Sequence, residues 1–212
     1  CEVIIDNIFL FLSNYENESN ESKFIISKIS EKYGAIYLFA VRCFNIFEEI
    51  LTKCDEKSIN QQIAAMNLLS YCYKGIAFVL SIELTDRLFI IIIQSGVMNN
   101  PYQLIRIVSF ELLSSLFKNL SRHYYTFQPM SILPEMIESI ENPDDPIVLL
   151  SKFKAFNHYL YLINEDELEN IYCDIQEKLL ELTENSTPDL LIFIFECIEF
   201  FISHLKSTNF DI

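Results

Sequence analysis

The stretch IENPDDPIVLLSKFKAFNHYLYLI, residues 140–163, joins a turn rich in Asn, Asp and Pro to a long apolar run. Asn and Asp side chains accept hydrogen bonds from the unpaired N–H groups that begin a helix. Proline suits the first helical position because its missing N–H needs no partner there. Asn142 with Pro143, or Asp145 with Pro146, therefore predicts the start of a helix over the apolar run.

Similar start signals recur along the chain at a nearly constant spacing. The candidate N-caps Ser58, Asn100, Asn142 and Thr187 lie 42, 42 and 45 residues apart. A period of about 40–47 residues with two or three helices per unit is typical of a helical solenoid, whose units bury their apolar faces against each other. The residues five and eight positions after each cap are apolar, and this shared register predicts that they pack alike: Ile63, Ile105, Ile147 and Ile192, then Met66, Val108, Leu150 and Phe195.

A second helical stretch follows each of the first three starts. These stretches are residues 75–95, closed by Gly96, residues 130–141, and residues 164–184, where Asn164 and Glu167 match the capping-box pattern. We therefore expect a single repeat domain over residues 1–212, as a segment of a longer solenoid. Its units are predicted near residues 23–57, 58–99, 100–141, 142–186 and 187–212.

Two of these units carry a family resemblance. SGVMNNPYQLIRIVSFELLSSL, residues 95–116, resembles an armadillo unit, and ENPDDPIVLLSKFKAF, residues 141–156, resembles the Asp/Pro turn and first helix of a HEAT unit. The resemblance to this armadillo/HEAT-like superfamily is best over residues 58–207 and implies an all-α fold, a right-handed α-solenoid of stacked helix pairs. Leu149 stands at a position that is often basic in HEAT units, and the glycine expected between armadillo helices is mostly absent, so both subtypes stay open.

The composition supports a helical core and limits the classes of partner. Hydrophobic residues make up 51% of the chain and aromatic residues 14%, whereas only three residues are glycine, too few for phosphate-cradling loops. The formal net charge is −15, which disfavours nucleic acid and anionic membrane surfaces. The same charge permits a basic protein or peptide partner.

Two apolar stretches bear on membrane insertion, and the cysteines bear on the cellular compartment. Residues 75–94 and 190–202 are interrupted by charged residues, so both predict buried helices and no membrane insertion. Of the six cysteines, none is paired in a Cys-x-x-Cys motif, and four lie in apolar helical runs. We expect reduced thiols and an intracellular protein, cytoplasmic or nuclear. The four are Cys43, Cys72, Cys173 and Cys197.

The residues that could carry chemistry do not form a recognisable catalytic pattern. The three histidines, His123, His158 and His204, lack metal-ligand spacing. Asp144 and Asp145 could be cast as an acid/base pair, but adjacent carboxylates in a solvated helix cap have no reason for separated pKa values. We therefore predict no catalytic, cofactor or metal site in this chain.

One acidic stripe is a candidate binding surface. The apolar residues of the stretch 164–184 fall on one helical face, and a row of carboxylates falls on another. The row is either a solvated outer face or a surface that receives Lys and Arg side chains from an extended peptide. The second reading follows from the resemblance, because armadillo arrays line their groove with the last helix of each unit. The chain has no Trp, so the Trp and Asn ladders of armadillo import receptors are not expected. The stripe consists of Glu167, Asp174, Glu177, Glu181 and Glu184.

Three functions are compatible with these patterns. The first is a non-catalytic intracellular scaffold or adaptor that binds a partner protein or basic peptide on a helical-repeat surface. The second is a helical regulatory region of a larger enzyme whose catalytic domain lies outside these residues. The third is a compact helical bundle that binds an apolar ligand among its aromatic side chains.

Overall fold

Every regular element in the part of the chain that the structure describes is helical. This computed structural model describes residues 3, 5–7, 9, 10, 37–52, 59–75, 82–123 and 132–205, with no strand among them. A short 3-10 helix, Val97–Asn99, links the third and fourth long helices. The prediction of an all-α fold is confirmed for these residues. The helices are α1 (Tyr37–Leu51), α2 (Ile59–Gly75), α3 (Ile82–Ser95), α4 (Gln103–His123), α5 (Leu133–Glu141), α6 (Pro146–Leu160), α7 (Glu165–Asn185) and α8 (Pro188–His204).

The chain divides into two compact units, Cys1–Phe127 and Gln128–Ile212. In the first unit, α2 packs against α1 and α4, and α1 packs against α3. Phe89 of α3 stacks on Phe117 of α4, with ring centroids 5.7 Å apart. In this unit, helices that alternate along the chain are therefore neighbours: α1 with α3, and α2 with α4. Its largest buried side chains include Phe44, Phe47, Met66, Leu68, Phe110 and Phe117.

The second unit repeats this arrangement with α5 to α8. Helix α6 packs against α8 and α5, and α7 packs against α8 and α5. Asn157 of α6 donates a hydrogen bond from Nδ2 to the carbonyl of Phe193 in α8, at 2.9 Å. Again the alternate helices, α5 with α7 and α6 with α8, lie side by side. The core of this unit includes Phe153, Phe156, Tyr159, Leu168, Ile175, Ile194 and Phe201.

The helix starts recur more evenly than the caps predicted from sequence. Helices α2, α4, α6 and α8 begin at Ile59, Gln103, Pro146 and Pro188, which are 44, 43 and 42 residues apart. The end of α3 follows the prediction for Gly96, which adopts a left-handed conformation with φ of 68° that favours glycine. The candidate cap Ser58 lies outside the described residues.

Among the helix starts whose cap residue the structure describes, a predicted side-chain cap forms at the start of α6 only. Asp145 Oδ1 accepts a hydrogen bond from Ile147 N at 3.0 Å, so the pair Asp145–Pro146, and not Asn142–Pro143, begins α6. Asn100 Oδ1 accepts from Tyr102 N, but α4 starts only at Gln103, so the prediction of Asn100 as the N-cap of this helix is wrong.

Two other predicted caps do not form. Asn164 and Thr187 occupy the N-cap positions of α7 and α8, but neither side chain makes a capping hydrogen bond. The predicted capping box between Asn164 and Glu167 is therefore wrong. The backbone carbonyl of Asn164 instead accepts from Glu167 N at 3.0 Å, as an ordinary first helical turn does.

The shared apolar register is also wrong for the second unit. Ile105, Met66 and Val108 are buried, whereas Ile147 and Ile192 are exposed. Ile147 is the second residue of α6, and its side chain is exposed in the first turn. Ile192 lies on the side of α8 that its neighbours leave uncovered, although the predicted start of α8 is correct.

Candidate binding surface

The acidic stripe predicted from the sequence lies on α7. The opposite face of α7 is buried as predicted at Leu168, Ile171, Ile175 and Leu179. A helix held by one apolar face leaves the other to solvent. The carboxylates of the outer face, all exposed, are Asp174, Glu177, Glu181 and Glu184.

One member of the stripe is partly neutralised. Lys178 Nζ lies 3.0 Å from Glu181 Oε2, one turn along the same helix. Exposed pairs of this kind contribute little to stability, about 0.3–0.5 kcal/mol. The pair does, however, hold a positive charge beside the stripe. Asp174, Glu177 and Glu184 are therefore the members whose charge is most available to a partner.

Glu167 occupies a different environment from the other four members. Its side chain is half-buried, and its Oε2 atom is buried without a hydrogen-bond partner. The Oε2 atom of Glu135 in α5 is also buried without a hydrogen-bond partner. Both carboxylates act on the phenol of Tyr159, a fully buried residue of α6. Glu167 thus belongs to an interior polar cluster of the second unit, which we call the Tyr159 cluster (Glu135, Tyr159 and Glu167).

The electrostatics of the Tyr159 cluster favour the neutral phenol. Burial raises the pKa of Tyr159 above its usual range, and the negative charges of Glu167 and Glu135 raise it further. No local sequence pattern identifies this cluster, because its members come from three helices. Only the position of Glu167, one turn before the buried Ile171, signals that its side chain lies at the edge of the buried face.

The Asp144–Asp145 pair has structural roles. Asp144 Oδ1 accepts a hydrogen bond from Asp145 N at 2.8 Å, and Asp145 caps α6. Asp144 Oδ2 also lies 2.9 Å from Nζ of Lys152, a lysine that is almost fully buried. Both carboxylates therefore accept hydrogen bonds or pair with a cation at the start of α6, in agreement with the capping interpretation.

The histidines and cysteines show no arrangement for chemistry in the described residues. His204 Nδ1 lies 2.8 Å from the carbonyl of Phe200, so this nitrogen donates, and the imidazole stacks on the Phe200 ring at 4.2 Å. His158 is half-buried on α6, and the side chain of His123 lies outside the described residues. Throughout the described ranges, no group of three or more His, Cys, Asp or Glu side chains is placed to hold a metal ion.

The cysteines whose side chains the structure describes are thiols outside any disulfide, and they differ in exposure. Cys43 and Cys197 are buried, whereas Cys173 is exposed on α7. Burial raises the pKa of the Cys197 thiol well above its usual range, which suppresses the reactive thiolate. The placement of Cys43 and Cys197 agrees with the expectation that they act as small apolar side chains. The side chain of Cys72 lies outside the described residues.

Negative charge is concentrated in the second unit. Residues 128–212 contain 17 of the 30 acidic residues but only 4 of the 15 basic residues, a formal charge of −13, which leaves −2 for residues 1–127. Two of these four lysines, Lys152 and Lys178, are paired with Asp144 and Glu181. The second unit is therefore the part of the chain with the strongest attraction for cations.

None of the described helices is both long enough and apolar enough to cross a lipid bilayer. Comparison with known proteins gave no match to a family model, to a curated protein or to a solved structure. The candidate surface is therefore defined by its own residues: the exposed carboxylates of α7 within a strongly acidic unit.

Proposed function

We propose that this protein is a non-catalytic intracellular scaffold, cytoplasmic or nuclear, that binds a protein or peptide with a basic surface. The observation that carries the proposal is the concentration of charge in the second unit, −13 of the total −15, together with the exposed row Asp174, Glu177, Glu181 and Glu184. A surface of one sign attracts partners of the opposite sign and repels others.

The architecture that we propose is a right-handed α-solenoid of stacked helix pairs, as in armadillo and HEAT proteins. Two observations support it. Helices α2, α4, α6 and α8 start at intervals of 44, 43 and 42 residues. Within each unit, alternate helices pack side by side, α2 with α4 and α1 with α3 in the first, α6 with α8 and α5 with α7 in the second. Stacked helix pairs produce this pattern, and they offer extended binding surfaces.

The test is affinity capture from cell lysate with the 212-residue chain as bait, followed by quantitative mass spectrometry. A triple variant, Asp174→Lys, Glu177→Lys and Glu184→Lys, reverses the charges most available on α7. We expect it to lose the captured partners and expect those partners to be basic. Each substitution lies on an exposed position, so the fold is retained, which circular dichroism checks.

The matched control changes the charge of the same unit by the same amount at other exposed positions: Glu138→Lys, Glu141→Lys and Glu169→Lys. We expect this variant to keep the partners. Equal loss from both variants would show a general charge effect and contradict a role for the α7 row. Capture of no protein above background would contradict the scaffold function itself.

A further inference from the structure

The outer face of α8 exposes three large apolar side chains in one row. Ile192, Phe195 and Ile202 are 57%, 56% and 59% exposed, and Glu199 lies between the last two. Their spacing of three, four and three residues places all four side chains in one row about 15 Å long. We call this row the α8 outer face (Ile192, Phe195, Glu199 and Ile202).

Half-buried apolar side chains and exposed polar ones lie beside the α8 outer face. Leu191, Phe193 and Ile198 are half-buried, whereas the exposed polar residues Glu196 and Ser203 lie along one edge of the row. Three large apolar side chains in one row, rimmed by polar residues, are typical of an interaction surface. The α8 outer face is therefore suited to a partner and not to bulk water.

Charge identifies the kind of partner. Glu199 lies within the face, Glu196 and Asp189 are exposed on the same helix, and α8 contains no Lys or Arg. A second copy of this chain would bring the same carboxylates and the same −13 unit into contact, which opposes association. A segment with Lys or Arg beside its apolar side chains would gain from both features.

We propose that the α8 outer face binds an amphipathic, basic helix of a partner protein. The partner's apolar side chains would contact Ile192, Phe195 and Ile202, and its Lys or Arg side chains would pair with Glu199 and the neighbouring carboxylates. Helices commonly bind such faces through anchors spaced at i, i+3, i+4 and i+7. This inference rests on the proposed scaffold function and adds a second surface, with a defined class of ligand.

The test uses the whole chain and a fluorescent peptide of about 18 residues, with Leu at i, i+3, i+4 and i+7 and Lys on its flanks, followed by fluorescence anisotropy. We expect saturable binding that weakens about tenfold or more in Phe195→Ser, because this substitution removes a large apolar contact. We also expect Glu199→Lys to weaken binding at low ionic strength and much less at high ionic strength.

Leu180→Ser is the matched control, because Leu180 is an equally exposed apolar residue of the same unit but lies on α7. We expect it to bind the peptide as the unchanged protein does. A second peptide with Glu in place of Lys should bind at least tenfold more weakly. Equal binding of the two peptides, equal binding by Phe195→Ser, or no binding by the unchanged protein would overturn the inference.

Two further outcomes separate this inference from the proposed function. If peptide binding depends on Asp174, Glu177 and Glu184 but not on Phe195, the inference is wrong and the scaffold function stands. If analytical ultracentrifugation shows a dimer that Phe195→Ser dissociates, the face is covered by a second copy, and the inference is again wrong. Peptide binding that requires Phe195 supports it, whatever the α7 row contributes.

Discussion

Lys152 Nζ and Asp144 Oδ2 lie 2.9 Å apart, and their side chains are only 4% and 11% exposed. This ion pair ties the turn before α6 to the second turn of the same helix. A buried ammonium group loses most of its hydration, and the carboxylate beside it offsets part of that free-energy cost. Removing one charge of the pair should therefore destabilise the protein more than removing both.

Asp144→Asn leaves the buried charge of Lys152 without its carboxylate, and we expect the free energy of unfolding to fall by about 3 kcal/mol. The double variant Asp144→Asn with Lys152→Met removes both charges of the pair and keeps much of the apolar stem, so a loss below about 1 kcal/mol is expected. Urea denaturation followed by circular dichroism measures both values. A loss in the double variant as large as that in Asp144→Asn would contradict a destabilising charge on Lys152.

The hydroxyls of Ser70 and Ser115 meet at 3.0 Å between α2 and α4. Because Ser115 already donates to the carbonyl of Glu111 at 2.9 Å, Ser70 is the donor in this contact. We expect Ser115→Ala to destabilise by about 1 kcal/mol, and the double variant with Ser70→Ala to be little worse than either single variant.

Ser109→Ala is the control for this cycle. The Ser109 hydroxyl is also buried, but it bonds to the carbonyl of Arg106 in its own helix. Its effect should add to that of Ser70→Ala, as expected for residues without a shared partner. Additive losses for Ser70 and Ser115 would mean that their hydroxyls do not interact in solution.

The raised pKa of Tyr159 makes stability fall at alkaline pH. An unfolded tyrosine ionises near its ordinary value of 10.0, whereas the buried phenol stays protonated. The native state then holds more protons than the unfolded state above that pH, so stability is full below about pH 10 and declines above it by up to about 1.4 kcal/mol per pH unit.

Tyr159→Phe should flatten this alkaline decline, as measured by the free energy of unfolding between about pH 8 and pH 11.5. Tyr161→Phe is the control, because its side chain is exposed at the end of α6. It should leave the slope unchanged. An equal slope in Tyr159→Phe and the unchanged protein would contradict a buried phenol.

Cys43, Cys173 and Cys197 should differ in how fast their thiols are alkylated. We expect iodoacetamide to label the exposed Cys173 of the native protein, whereas Cys43 and Cys197 react only after unfolding. Mass spectrometry of the digested protein assigns the label to each residue. Labelling of native Cys197 as fast as Cys173 would show that α8 opens or does not pack as described.

The sequence predicts the starts of α4, α6 and α8 to within three residues, because prolines and polar turn residues are local signals. The sequence leaves open whether Asn142 or Asp145 is the N-cap of α6, and the backbone conformation before proline decides between them. A residue before proline avoids the α-helical region, and Asp145, which precedes Pro146, has an extended ψ of 141°. A helix beginning at Pro143 could not pass through that residue, so α6 starts at Pro146.

The contacts between helices could not be predicted from the sequence. A hydrophobic pattern indicates that one face of α7 is buried, but Glu167 lies at the border of that face, and the effect of its charge on Tyr159 depends on how α6 and α7 are placed. The exposure of Ile192 and Phe195 likewise depends on which helices surround α8. Periodicity identifies apolar positions and does not identify what covers them.

The positive φ of Gly96 makes the end of α3 sensitive to the chirality of the residue at position 96. A Cβ built at Gly96 meets no atom within 4 Å, so the only penalty for an ordinary alanine is its backbone conformation, about 1–2 kcal/mol. D-Alanine, the mirror-image residue, prefers this conformation. Introduced by chemical ligation, it should raise the melting temperature by restricting the unfolded chain, whereas L-alanine should lower it.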